Sequence, residues 1–134
     1  MNSAQPKPQQ AARLSWILYD WASSPLPTLH ATFVFAVYFT TVIAPEHGSF
    51  YWAHMTALSA FLLALAAPIM GRYADSKGLV KQGFVFSSVI AAAMTTALWF
   101  IQPSSDFILL ALILSGLSIF FSEAAFLFLS LIHI

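Results

Sequence analysis

The sequence predicts an all-α membrane protein with four transmembrane helices, and three observations carry that prediction. Hydrophobic residues make up 60% of the chain and charged residues 7%, against about 25% charged in a soluble domain, so the chain cannot cover its own surface with polar groups. The mean hydropathy is +0.82. Apolar runs of about 20 residues, the length that crosses a hydrocarbon core as a helix, recur four times. The strands of a membrane barrel would be about ten residues long and strictly alternating; these runs are neither.

Residues 1–12 are polar and rich in Pro and Gln, and read as a disordered cytoplasmic tail. Arg13 opens a stretch in which Trp16, Tyr19 and Trp21 alternate with polar groups, the composition of a headgroup-level segment. Ser23 and Ser24 beside Pro25 and Pro27 mark a helix start or a kink, since neither proline donates a backbone hydrogen bond. The first span is expected over residues 22–44 and ends at the turn Pro45-Glu46-His47-Gly48-Ser49. The second covers 51–71, with Trp52 as an interfacial anchor and Pro68 near its far end. The third covers 82–101 and closes at Trp99 and the turn holding Pro103 and Asp106. The fourth covers 107–128, interrupted only by Glu123.

Lys7, Arg13, Arg72, Lys77 and Lys81 are all the basic residues of the chain, and every one lies in the tail or the second connector. Basic residues mark the cytoplasmic face, so both termini and that connector are expected in the cytoplasm; a bacterial inner membrane is the expected location. The net charge is zero and there is no cysteine. No basic patch suits nucleic acid, no thiolate site is possible, and no side-chain constellation suggests an enzyme, a cofactor or a metal. The lipid bilayer is the expected partner. Small residues let helices approach in lipid. Ser88, Ala92 and Thr96 on the third span, and Ala111 and Ser115 with Gly116 on the fourth, are the expected packing faces.

The charge is concentrated in one place. Four of the ten Lys, Arg, Asp and Glu residues fall in Pro68-Ile-Met-Gly71-Arg72-Tyr-Ala-Asp75-Ser-Lys77-Gly78-Leu-Val-Lys81, with long uncharged runs on both sides. Gly78 permits a positive φ in a turn and Gly71 a close helix approach. Asp75 can accept from the exposed N–H groups where the next helix begins. Lys77 and Lys81 sit where anionic headgroups lie. On these residues alone the connector is either a conformational latch or a solvated loop whose charges set topology.

The spacing of Gly71, Asp75, Gly78 and Lys81 resembles the loop between the second and third helices of major facilitator superfamily transporters. Arg13-Leu-Ser-Trp16-Ile-Leu-Tyr19-Asp20-Trp21-Ala-Ser-Ser24 is similar to the opening of one branch, the vacuole-effluxer (autophagy-related) proteins and their bacterial relatives. Ser23 stands where that branch usually has Asn, and Ser76, Leu79 and Val80 where it has basic residues. The resemblance implies four helices of an incomplete six-helix N-terminal domain, with Gly71, Arg72, Asp75, Lys77, Gly78 and Lys81 forming a latch. It also implies inverted three-helix repeats that make spans one and four equivalent and cavity-lining.

His30 and Glu123 are the deep ionisable residues on those two spans. Glu123 reads as cavity-facing, because an intramembrane acid is costly unless paired, hydrated or protonated, or as a side chain snorkelling to the interface. His30 is a candidate for proton exchange or a hydrogen-bonded bundle histidine. Asp20 can be an N-cap, a headgroup-level residue or the mouth of a substrate path, and His54 is expected at the interface. The implied function is secondary transport of a small polar solute, with amino acids suggested by the branch. The alternative is a tetraspan scaffold or subunit that transports nothing. Residues 129–134 match the in-frame translation of a sequencing-library transposon end, CTG TCT CTT ATA CAC ATC. The natural protein is therefore expected to continue past Phe128, the missing remainder of the chain being its partner, and His133 is no ligand candidate.

Overall fold

The structure is a computed structural model and describes residues 7–23 and 26–132, all of whose regular elements are helical. Helix α1 spans Lys7–Ser23. A π-wound segment Leu26–Phe33, a short helix α2 at Phe35–Tyr38 and a second π-wound turn Phe39–Ile43 follow. Three long helices complete the chain: α3 (Gly48–Lys77), α4 (Val80–Ala97) and α5 (Ile108–Ile132), the last two flanked by 3-10 turns at Leu98–Phe100 and Ser105–Phe107.

Among the described residues, three helical stretches are long and apolar enough to cross a membrane, Gly48–Lys77, Val80–Phe100 and Ser105–Leu131. The sequence predicted four. The difference lies in residues 22–44, which form no single α-helix. Helix α1 ends at Ser23, Ser24 and Pro25 fall outside the described residues, and Pro27 brings no backbone donor to the segment that follows. Beyond it the backbone pairs at π spacing, Val34 N–H to the Leu29 carbonyl at 2.7 Å and Ala44 N–H to the Phe39 carbonyl at 2.9 Å. Thr40 and Thr41 donate back to the carbonyls of Ala36 and Val37 at 2.9 and 2.7 Å, an alternative use of backbone acceptors that bends helices. At the other end, α1 begins at Lys7, so residues 7–12, assigned by sequence to the tail, are helical; residues 1–6 lie outside the described residues.

Helix α3 has 30 residues and is about 45 Å long at the helical rise, more than the roughly 30 Å of hydrocarbon. Arg72, Asp75 and Lys77 all lie in its last two turns. It passes through Pro68 without a break. Only 6% of its most apolar window is buried, so the helix must find its apolar surroundings in lipid or in further protein.

Helices α4 and α5 run antiparallel, and their contact is the main one of the bundle. Ser87 and Ala91 on α4 and Ala111, Ser115, Ser118, Ala125 and Phe128 on α5 are buried. Thr95 and Ser118 meet across the contact at 2.6 Å. The row that α4 turns toward α5 is thus Ser87, Ala91 and Thr95, one residue away from the expected row. Ala92 and Thr96 are exposed, and Ser88 meets α1 instead. The expectation for Ala111 and Ser115 holds, at 0% exposure each. Near the turn between α3 and α4, a Cβ on Gly83 would lie 2.9 Å from the Phe128 ring. Gly83→Leu is therefore expected to lower stability by about 1–3 kcal/mol through overpacking. Thermal unfolding in detergent measures this, and Phe128→Ala in the same chain should restore part of the loss.

At the end opposite the α3–α4 turn, Phe39, Ile43, Ala44, Leu98, Ile101 and Ala111 form the buried core, with Trp52 packed against it. Trp52 stands 5.5 Å from the Phe39 ring and 6.0 Å from that of Phe35. The irregular segment 26–43 is held here by aromatic packing rather than by regular helix geometry.

Candidate functional site

The α3–α4 turn follows from one residue. Gly78 takes φ 66°, the left-handed region open to glycine. Leu79 N–H donates to the Ala74 carbonyl at 2.8 Å and Gly78 N–H to that of Asp75 at 3.1 Å, the paired bonds of a Schellman closure. Asp75 thus serves the turn with its backbone carbonyl. Its carboxylate does not cap α4, which begins after Leu79 with no side-chain cap. Asp75, Arg72, Lys77 and Lys81 are all exposed. A Cβ on Gly71 would meet only Leu131 at 3.7 Å, ordinary contact, so packing among the described residues does not require glycine there.

Helices α3 and α5 run parallel and diverge along a groove of about 680 Å³, lined by apolar side chains that include Leu58, Leu62, Leu117 and Phe120. Its floor is a close contact in which Ser59 Oγ donates to the Gly116 carbonyl at 3.2 Å. Tyr51 and His54 stand at the far end, where His54 Nδ1 lies 2.8 Å from the Phe50 carbonyl. Glu123 is exposed. Residues spaced by four and three share a helix face, so Gly116, Phe120 and Glu123 form one row. Glu123 thus continues that row toward the α3–α4 turn, beyond the residues that line the groove. Sequence reading identified the acid but not the groove, because a groove is a relation between two helices.

His30 is not with Glu123. It is buried in the π-wound segment, stacked on Phe35 at 5.5 Å and tilted against Trp52 at 6.4 Å, near the end of the bundle where α3 begins. It lines a separate cavity of about 520 Å³ with Thr95, Leu98 and Trp99.

Asp20 lies on α1 next to a residue that reaches α4. The preceding residue, Tyr19, packs edge-on against Phe84 at 4.7 Å and its hydroxyl lies 3.1 Å from Ser88 Oγ. Ser88 is roughly 12 Å along α4 from Val80 at the helical rise. Asp20 is exposed and takes part in an interaction of its own. Helix α1 thus touches the first half of α4 through Tyr19.

Helix α5 continues through residues 129–132, while His133 and Ile134 lie outside the described residues.

No family model matches the chain, and no solved structure matches it. The chain spans 27% of the length of a curated relative that it matches. Over 115 residues, 82% of its own length, it is 36% identical to that relative, an uncharacterised MFS-type transporter, YxiO, of Bacillus subtilis (strain 168).

Proposed function

We propose that this chain is the N-terminal part of a secondary active transporter of the major facilitator type, which carries a small polar solute by alternating access. The similarity to an MFS-type transporter carries this reading. The exposed Glu123 on the groove face of α5 supports it, since a carboxylate on a membrane helix is expected to face a cavity or a partner rather than lipid. In this reading the poorly buried faces of α3 and α5 meet the remainder of a longer chain. Glu123 borders the solute path, and the exposed charges of the α3–α4 turn latch helix ends in one conformation. The opening motif suggests amino acids as the solute class and the vacuole-effluxer-like branch as the nearest group. The N-terminus and the α3–α4 turn are cytoplasmic in a bacterial inner membrane.

A transporter of this type binds its substrate between repeats, so the 134-residue chain by itself is expected not to transport. The test is uptake of radiolabelled amino acids into proteoliposomes, comparing the 134-residue chain with the product of an intact, longer gene. Saturable uptake is expected from the longer protein only. Saturable uptake by the 134-residue chain would overturn the proposal. Topology is checked separately, with single cysteines at Ser49, Ser76 and Ser104 and an impermeant thiol reagent. Labelling from the periplasmic side is expected at positions 49 and 104 and not at 76; the reverse pattern would invert the orientation.

A further inference from the structure

The groove between α3 and α5 has a polar mouth, an apolar length and a closed inner end. It runs from Tyr51 to Ala66 on α3 and from Leu112 to Phe121 on α5, roughly 22 and 14 Å at the helical rise. One leaflet supplies about 15 Å of the hydrocarbon core, so the groove is about as deep as a leaflet. Beyond Ala66 and Phe121 no described residue of either helix lines it, and Ala74 on α3 and Ala124 on α5 are buried. The Ser59 hydroxyl in its floor is committed to the Gly116 carbonyl. No Asp, Glu, Lys or Arg lines it. Its free polar capacity stands at the mouth, where Tyr51 and His54 are both exposed. His54 Nδ1 lies 2.8 Å from the Phe50 carbonyl, which can only accept, so that nitrogen carries a proton and Nε2 is left for another partner.

We propose that this groove holds one acyl chain of a phospholipid from the leaflet in which α3 begins. The tail lies along Leu58, Leu62, Leu117 and Phe120, and the headgroup phosphate meets Tyr51 and His54 at the mouth. Depth selects the occupant. A further membrane-spanning helix packs over the full core of about 30 Å, whereas the groove closes beyond Ala66 and Phe121; a tail from one leaflet needs about half that depth. A strongly polar occupant would lose its hydration along the apolar length with nothing to replace it. The groove is also continuous with the surface that meets lipid. Leu58 and Leu62 share a helix face with Leu65, and all three are exposed, so a tail enters sideways from the bilayer. Charge is complementary at the mouth. Phosphate accepts from the Tyr51 hydroxyl, and a protonated His54 donates through Nε2 and carries the opposite charge. The inference requires only that α3 and α5 cross a bilayer and does not rest on the transporter reading.

The test is photolabelling of the purified chain in phosphatidylcholine nanodiscs containing a trace of phosphatidylcholine with a diazirine in one acyl chain. Adducts are located by proteolysis and mass spectrometry. Leu62, in the groove, is compared with its neighbour Phe61, which is exposed and outside it. Labelling at Leu62 is expected to exceed that at Phe61 at least fivefold. Leu117→Trp, which fills the groove, should lower the Leu62 yield at least fivefold and leave Phe61 unchanged. The double change Tyr51→Phe with His54→Leu should lower the Leu62 yield about three- to tenfold through lost hydrogen bonds to phosphate. Equal labelling of Leu62 and Phe61 in the unmodified chain would make the lipid ordinary bilayer solvent and overturn the proposal. Loss of the Leu62 adduct in the longer protein, with that at Phe61 retained, would give the groove to another helix and also overturn it. Adducts between two copies of the chain at Leu62, in place of lipid adducts, would give it to a second copy with the same result.

Discussion

Phe39→Ala is expected to loosen the end of the bundle opposite the α3–α4 turn and to be among the most destabilising single changes in the chain. Phe39 is fully buried, within ring contact of Trp52, and its carbonyl anchors the π-spaced bond from Ala44. In water-soluble cores such a truncation costs about 3–5 kcal/mol. Part of that figure is transfer from water, which contributes little where the alternative surroundings are lipid. The remaining loss of packing contacts suggests about 2–3 kcal/mol here. Reversible denaturation in mixed micelles measures it. Phe33→Ala is the matched control: Phe33 is 64% exposed, and its change should stay within about 0.5 kcal/mol. Equal effects of the two truncations would mean that segment 26–43 is not anchored through Phe39.

Glu123→Gln should have the largest functional effect, and it must be read in the longer parent protein. If Glu123 binds solute or carries a proton on the groove face, the neutral isostere removes a charge-assisted contact. Such contacts contribute about 1.5–3 kcal/mol, so a ten- to hundredfold loss of uptake or affinity is expected. Glu123→Asp should retain part of the activity. A carboxylate that merely reaches an interface would tolerate Gln with little change. The measurement is solute uptake across a pH series with expression matched. An unchanged pH profile and unchanged affinity would leave Glu123 a structural residue.

These two residues differ in how visible they were. Glu123 stands out because an acid in an apolar run is conspicuous by chemistry alone. Phe39 is one of 13 phenylalanines, and nothing local separates it from exposed Phe33. The packing row of α4 makes the same point more sharply. Ser87-Ser88, Ala91-Ala92 and Thr95-Thr96 are doublets of identical residues at helical spacing. Two rows of the same composition therefore lie side by side, and no pattern in the sequence can choose between them. The choice falls on the first member of each doublet because α5 lies on that side, while Ser88 is turned toward Tyr19.

The sequence by itself determined the membrane class, the three long helices, the turn at Gly78 and the packing residues Ala111 and Ser115. Each rests on local chemistry: hydropathy over a helical length, a backbone conformation open to glycine, or small side chains in lipid. Tertiary structure alone decided that residues 26–43 are wound irregularly against an aromatic core and that Tyr19 of α1 reaches α4. It also decided that His30 lies apart from the groove between α3 and α5, and that Asp75 closes its turn through a carbonyl. All of these depend on which side chains and backbone groups meet across helices far apart in the chain. Helical periodicity sets the faces of one helix but not the neighbour each face receives.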